Sequence, residues 1–413
     1  MRILTIIIVA ILAGLIALCC LRWKAWFHNP QEEPYTAASV PSRLLLTFGD
    51  EGELSRYVSW TCGDEVDYGA NLYIVRDSTA DTITIAAIGE VFESRAGHAA
   101  YYRAHVSDLQ PSATYHYAVQ TNDSISDWHT FRTYDPKAES FSFLYMGDVQ
   151  DTIAGITNHL LRQAVDSHPE VEFVAFGGDL TERPTDSFWN ETFRSIDSVC
   201  TAMPVLNITG NHDYLKYIIR KCERRFALTF PYFLKGMSER NDLNHLYSLR
   251  YHNTDLYLLD TNRRLLYLYQ QRKWLDNEFR ESTASHHIVL GHHPLYSVKK
   301  KNNNLIQRWL LADIIEEAQA DLVLQGHEHA YARCTADEEP LTGSECATLP
   351  LYTISHCSPK SYRIRPTRRF SNILSGSRYY QVVTVNRDDM LMRAYDANSG
   401  ALVDSVRIIG KAQ

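Results

Sequence analysis

FVAFGGDLTE, residues 173–182, is a run of apolar, β-forming residues that stops at two glycines and an aspartate. A run this apolar fits a strand buried on both faces, and its polar end then falls in the loop at the strand's carboxyl end. The same pattern occurs four more times, in FSFLYMGDVQ (141–150), PVLNITGNHD (204–213), HHIVLGHHP (286–294) and ADLVLQGHEH (320–329). Strand-then-helix alternation between these runs predicts an α/β domain. In such sheets the carboxyl edge is where ligands bind. The glycine before each candidate ligand lets the chain turn without a side chain crowding an ion. A lone GD is commonly a turn or helix cap, and a lone HxH can be two surface histidines. Five such motifs in this order, each behind an apolar run, point together to a metal site.

Upstream, residues 43–133 have a different texture: short alternating runs such as RYVSW, NLYIV and TYHYAVQ, broken by Asp, Gly, Ser and Asn. This spacing predicts an all-β sandwich. In LQPSATYHYAV (109–119) a proline-led turn is followed by Tyr115 and Tyr117, as a tyrosine corner requires. With Trp60 in YVSW, the segment resembles a fibronectin type III-like domain, specifically the one that precedes the catalytic domain of many purple acid phosphatases. The stretch TYDPKAESFS (133–142) reads as a linker. The expected division is 1–30 as signal peptide or membrane anchor, 35–134 as the sandwich and 138–413 as the metal-binding domain.

The order GD, GDxx, GNHD, a histidine after GH, and GHxH resembles the signature of calcineurin-like metallophosphoesterases. GHEHAYAR (326–333) and VLGHHPLYS (289–297) look most like the purple acid phosphatase group, whose C-terminal strands would correspond to YYQVVTV (379–385) and DMLMRAYD (389–396). The resemblance implies an α/β domain of two sheets flanked by helices. It implies two di- or trivalent metal ions, drawn from iron, zinc or manganese, a set that suits mixed imidazole and carboxylate ligands. By the same resemblance Asp148 would bind the first metal and Asp179 would bridge both. Asn211, His292 and His327 would complete the second site, and His329 would return to the first. His212 would protonate the leaving group or donate to a phosphate oxygen. Asp213 would either orient that imidazole or simply cap a helix.

Two departures from the family pattern matter. Purple acid phosphatases carry a tyrosine three residues after the bridging aspartate, whereas this chain has Glu182, so a coloured ferric-tyrosinate site is not expected. Gln150 stands where many relatives have a histidine in the first motif. Glu182, Gln150 or a water would then supply a further oxygen, with helix initiation the alternative for Glu182. The paired histidines some plant members carry after the fourth motif are replaced by KKKNNN (299–304). Tyr331 and Arg333 either reach a phosphate or pack behind the metals. Asp260 is expected to be structural, His293 to point elsewhere, and His286 and His287 receive no role.

The implied reaction is phosphate-ester hydrolysis by a metal-held hydroxide, monoesters first, with a phosphodiesterase acting on nucleotides or lipid head groups as the alternative. A cell-surface binding protein with a degenerate catalytic domain is the competing class, disfavoured because the six core ligands and His212 are all present. A formal charge of -8 argues against a nucleic-acid binder that neutralises phosphates, and leaves a small phosphate ester as the expected partner. The N-terminal run is uncharged from Ile3 to Leu21, long enough to span a bilayer, and lacks a small-x-small cleavage site before Arg22. A retained anchor is therefore favoured over a cleaved signal, and the expected location is exported: cell envelope or membrane-anchored, otherwise secreted. The six cysteines beyond it contain no CxxC and read as buried thiols, a Cys334–Cys346 bridge being the alternative.

Overall fold

The computed structural model describes residues 2–29, 31–79, 81–234, 236–237, 244–299, 304–337, 339–341, 343–365 and 367–410. Two sheets face each other in the second half of the chain. The larger, of eleven strands, contains the parallel set Ser140–Met146, Val171–Phe176 and Val205–Asn207. The smaller, of seven, contains the parallel set Thr254–Leu259, His286–Gly291, Leu322–Gln325 and Leu351–Ile354. Tyr379–Asn386 and Asp389–Asp396 extend the larger sheet in antiparallel fashion.

Period-2 alternation explains why these runs are apolar throughout. Leu256, Leu258, Ile288, Leu290, Leu322 and Leu324 join the core between the sheets with Phe143, Phe173 and Leu206. Their sequence neighbours Tyr257, Leu259, Val289 and Val323 face the other way, against Leu268 and Leu275 of helix Leu265–Glu281 and Leu311 and Ile315 of helix Leu305–Glu317. Strands buried on both faces carry no polar face to reveal their register.

The sandwich expected upstream is present, with a core of Leu44, Leu46, Val58, Trp60, Tyr102, Leu72, Ile74, Tyr117 and Phe131. Its tyrosine corner is formed: the Tyr115 hydroxyl accepts the backbone N–H of Gln110 at 2.9 Å. The Trp60 indole donates to Thr121 Oγ1 at 2.8 Å. Strand Ser42–Gly49 sends Leu44 and Leu46 into this core and Leu45 and Phe48 into the core between the catalytic sheets. It also pairs with Val205–Asn207 through Thr47 and Val205, so one sheet runs from the sandwich into the α/β fold. The helix Arg2–Phe27 has an apolar stretch, Ile3–Lys24, none of which is buried. All eight cysteines are free, so the Cys334–Cys346 alternative is corrected: both are buried thiols on different strands.

Candidate metal centre

The strands of the two parallel sets end at one edge, and the candidate ligands follow five of them: Asp148, Asp179, Asn211, His292 and His327. Glycines make the convergence possible. A β-carbon at Gly210 would overlap Oδ1 of Asp179, and one at Gly326 would overlap Oδ2 of Asp148. Four ligand candidates sit in the left-handed backbone region, with φ of 44° at Asp148, 52° at Asp179, 68° at His327 and 36° at His329. Such conformations cost about 1–3 kcal/mol each for non-glycine residues and collect at functional sites.

The side chains form two joined groups. Asp179, His292 and His327 place their ligand atoms within 4.8 Å of one another. His292 Nε2 lies 3.4 Å from Asp179 Oδ2 and 3.3 Å from Asn211 Oδ1. In the second group His329 Nε2 lies 3.3 Å from Asp148 Oδ1 and 3.4 Å from the Gln150 amide nitrogen. The groups are tied together by the His327 N–H donating to Asp148 Oδ2 and the Gln150 N–H donating to the Asp179 carbonyl at 3.0 Å.

Backbone carbonyls fix the ring orientations. His292 Nδ1 donates to the Gly177 carbonyl at 2.8 Å, and His329 Nδ1 donates to that of Lys360 at 2.9 Å. A neutral imidazole that donates from Nδ1 presents a lone pair at Nε2. In both pairs that lone pair faces a buried carboxylate oxygen, acceptor against acceptor, and Asp148 Oδ1 has no hydrogen-bond donor among the described residues. Only a cation between them, proton or metal, makes this arrangement stable. Ligand bonds of about 2.0–2.2 Å in tetrahedral geometry put neighbouring ligand atoms about 3.4 Å apart, so these side chains fit a metal. Without one the His292–Asp179 pair takes a proton: burial opposes it, but the Asp179 charge and hydrogen bond push the His292 pKa up to about 10. Burial would raise the Asp179 carboxyl, yet His292 holds it below the usual carboxylate range. Burial and the neighbouring His293 and His292 keep His327 neutral, the state a ligand needs.

His212 stands beside this cluster. Its backbone N–H donates to Asp179 Oδ1 at 2.7 Å, and its Nδ1 donates to the Glu182 carbonyl at 2.7 Å, leaving Nε2 as the free nitrogen. Three sequence expectations change here. Asp213 does not hold the His212 ring; its Oδ2 accepts the backbone N–H groups of Gly210 at 2.8 Å and Asp179 at 3.1 Å, capping the short helix Asn211–Asp213, the alternative the sequence left open, and bracing the loop that carries Asp179. The Glu182 carboxylate pairs with the Lys360 ammonium and is outside the ligand cluster. Arg333 does not face a phosphate: it is buried, donating from Nε to Asp404 Oδ2 at 2.6 Å and from Nη2 to the Gly343 carbonyl at 3.1 Å. Tyr331 bonds the same Asp404 oxygen at 2.7 Å, so both pack behind the site.

Asp260 is structural, pairing with Arg263 at 3.0 Å and His245 at 3.5 Å and accepting from the Tyr214 hydroxyl. His293 turns to Thr261, 2.9 Å from Nδ1, and packs on the His327 ring with centroids 4.5 Å apart. Of KKKNNN, residues 300–303 lie outside the described residues.

Several residues missed from the sequence surround the second group. Tyr362 stacks on His329 at 4.3 Å, His356 stacks on its other side at 5.1 Å, and the Lys299 ammonium sits 3.6 Å over the Tyr362 ring. Glu328, between the two histidines, accepts the N–H groups of Val298 at 2.6 Å and Lys299 at 3.0 Å and so fixes that wall. LYTISHCSPK (351–360) carried the available signal, another apolar run ending in polar residues.

Comparison with known proteins identifies the family. Residues 124–331, half of the chain, match the calcineurin-like phosphoesterase family, and residues 41–133 match the purple acid phosphatase N-terminal domain. The chain is 25% identical to Purple acid phosphatase 5 of Arabidopsis thaliana over 323 residues, 73% of this chain and 72% of that protein. An uncharacterized protein of Mycobacterium tuberculosis is 23% identical over 350 residues, 73% of this chain and 63% of its own length. A purple acid phosphatase from yellow lupin (Lupinus luteus) seeds shares the fold, with a TM-score of 0.73 at 14% identity, covering 90% of this chain and 74% of that one. That fold implies a dinuclear metal centre, and the chain belongs to the calcineurin-like phosphoesterases as a purple acid phosphatase-like, metal-dependent phosphoester hydrolase.

Proposed function

We propose that the site holds two metal ions and hydrolyses phosphate monoesters. Asp148 and His329, with the Gln150 side chain beside them, would hold one ion; Asn211, His292 and His327 would hold the other; Asp179 would be shared. Iron, zinc and manganese all suit this mixture of imidazole, carboxylate and amide oxygen. Bound there, such ions supply Lewis acidity and a water acidified towards neutral pH. The observation that carries the reading is the pair of buried acceptor-to-acceptor contacts, His292–Asp179 at 3.4 Å and His329–Asp148 at 3.3 Å.

The remaining steps fall to the chain. Because Glu182's carbonyl holds the Nδ1 proton of His212, Nε2 is the nitrogen that hands a proton to the departing alkoxide. Lys360, half-exposed, is held by the Glu182 carboxylate beside His212, so that their charges offset one another. Residues 35–134 serve as the flanking sandwich, 138–413 carry the chemistry, and helix Arg2–Phe27 is a retained membrane anchor on an exported chain.

The test is metal analysis of the purified chain alongside turnover of p-nitrophenyl phosphate and bis(p-nitrophenyl) phosphate. His212→Ala should lower kcat about 10²–10⁴-fold while metal content stays at the wild-type value. Faster turnover of the diester would reverse the substrate assignment, and undiminished turnover in the variant would remove His212 from the reaction.

A further inference from the structure

Just past the apolar helix, Asn29 is clasped to the catalytic domain. Its side chain donates to the Lys216 carbonyl at 3.0 Å and accepts the Lys216 N–H at 2.7 Å. Asn29 is two residues past the last helical residue, Phe27, with only His28 between them. At about 3.3–3.6 Å per residue, Asn29, and with it the clasp to Lys216, therefore lies within about 7 Å of chain from the helix end. Trp23, Lys24 and Trp26, which close the helix, are residue types that settle at the lipid–water boundary.

Lys216 opens the tip of a small hairpin, strands Tyr214–Leu215 and Lys221–Cys222, whose tip reads Tyr217-Ile218-Ile219. These three side chains are exposed, Ile218 by 79%. Two further segments meet the hairpin around residues 260–262: Tyr214 bonds Asp260, and Gln307 bonds the Thr261 carbonyl at 3.2 Å. They bring the first turns of helices Leu265–Glu281 and Leu305–Glu317, where Leu266 is 65%, Ile306 50% and Trp309 70% exposed. Exposed apolar side chains grouped in this way mark a contact surface.

We propose that the Tyr217–Ile219 tip, with these two helix ends, is seated in the surface of the bilayer that holds the N-terminal helix. The proposal rests on reading that helix as a retained anchor. A bilayer is the occupant because the surface is continuous with the anchor through the Asn29 clasp. Lys216, Arg220 and Lys221 flank the tip in a chain of net charge -8, a local reversal of sign suited to anionic lipid. His212 stands four residues before Lys216, so the catalytic edge lies within about 14 Å of chain from the membrane-seated loop.

The test uses the full chain with Cys19 and Cys20 changed to Ser; the other six cysteines are buried. An environment-sensitive fluorophore is placed at Ile218→Cys, at Ile219→Cys as a second site, and at Lys137→Cys on the opposite edge of the sheet as reference. Each protein is reconstituted into phosphatidylcholine–phosphatidylserine vesicles, with and without lipid carrying a nitroxide near the head group. The expected result is flotation with the vesicles, with at least threefold stronger nitroxide quenching at 218 and 219 than at 137. Flotation with equal quenching at all three sites overturns the seated loop and leaves the anchor standing. Failure to float overturns both. A blue-shifted probe at 218 that the nitroxide does not quench identifies a protein partner on the tip and overturns the bilayer as occupant.

Discussion

The Asp213 carboxylate accepts from two backbone N–H groups, those of Gly210 and Asp179, and makes its other contact with Thr181 Oγ1 at 3.5 Å. Removing it in Asp213→Ala strands both buried N–H groups, at about 1–3 kcal/mol each. Because one of them belongs to Asp179, the proposed shared ligand, metal content should fall together with thermal stability. Had Asp213 oriented the His212 ring instead, the same variant would keep its metal and lose only kcat, so metal analysis beside kinetics separates the two roles. The ligand types were legible in the sequence, since an aspartate or histidine behind a glycine at a strand end has a recognisable chemistry. Their orienting partners were not. Gly177, Glu182 and Lys360 act through carbonyl oxygens, a group every residue owns, so no side-chain identity announces the contact.

Strand His286–Gly291 shows how an element is pinned at the end away from its ligand. His286 Nδ1 lies 3.4 Å from Asp321 Oδ1, and Nε2 lies 3.1 Å from the carbonyls of Asn386 and Arg387, in the turn that follows strand Tyr379–Asn386 of the other sheet. Only an imidazolium donates from both nitrogens. Burial therefore lowers its pKa, but the Asp321 hydrogen bond and charge, with the two carbonyls, raise it overall. A folded-state pKa above the unfolded value of about 6.5 adds stability that is complete below that pH and lost as pH rises through the folded value. The melting temperature of wild type minus that of Asp321→Asn should accordingly be largest near pH 6 and shrink towards pH 9; a difference constant across that range would rule the pairing out. The five ligand-bearing strands were legible because each is an unbroken apolar run. Leu351–Ile354 was passed over: its run ends in Ser355 and His356 with none of the glycines that mark the other five motifs, although His356 and Tyr362 beyond it wall the site.

Across the whole molecule, three acids and three arginines from distant parts of the chain meet in one cluster. Glu32 accepts from Arg225 at 2.8 Å and pairs with Arg95 of the sandwich at 2.9 Å, while its Oε2 accepts the Asp186 N–H at 2.8 Å. Arg43 forks onto Asp186 with both bonds at 3.1 Å, and Glu223 pairs with Arg225 at 3.2 Å. Sandwich and α/β fold were each legible from their own periodicity, but this junction was not, because charges so far apart in sequence read singly as solvated surface. Burial makes the cluster cooperative: one missing partner leaves another charge uncompensated, a loss of about 3–5 kcal/mol. Glu32→Ala in the full chain should therefore lower unfolding stability by about that amount in denaturant titration, whereas exposed Glu33, one residue on, should change it by less than about 0.5 kcal/mol when treated alike. Equal, small effects at the two positions would mean that the segment behind the N-terminal helix merely rests on the fold. A large effect at Glu32 alone would mean that the segment is part of it, so that a pull on the helix is felt at helix Asp186–Cys200 and at the hairpin turn carrying Arg95.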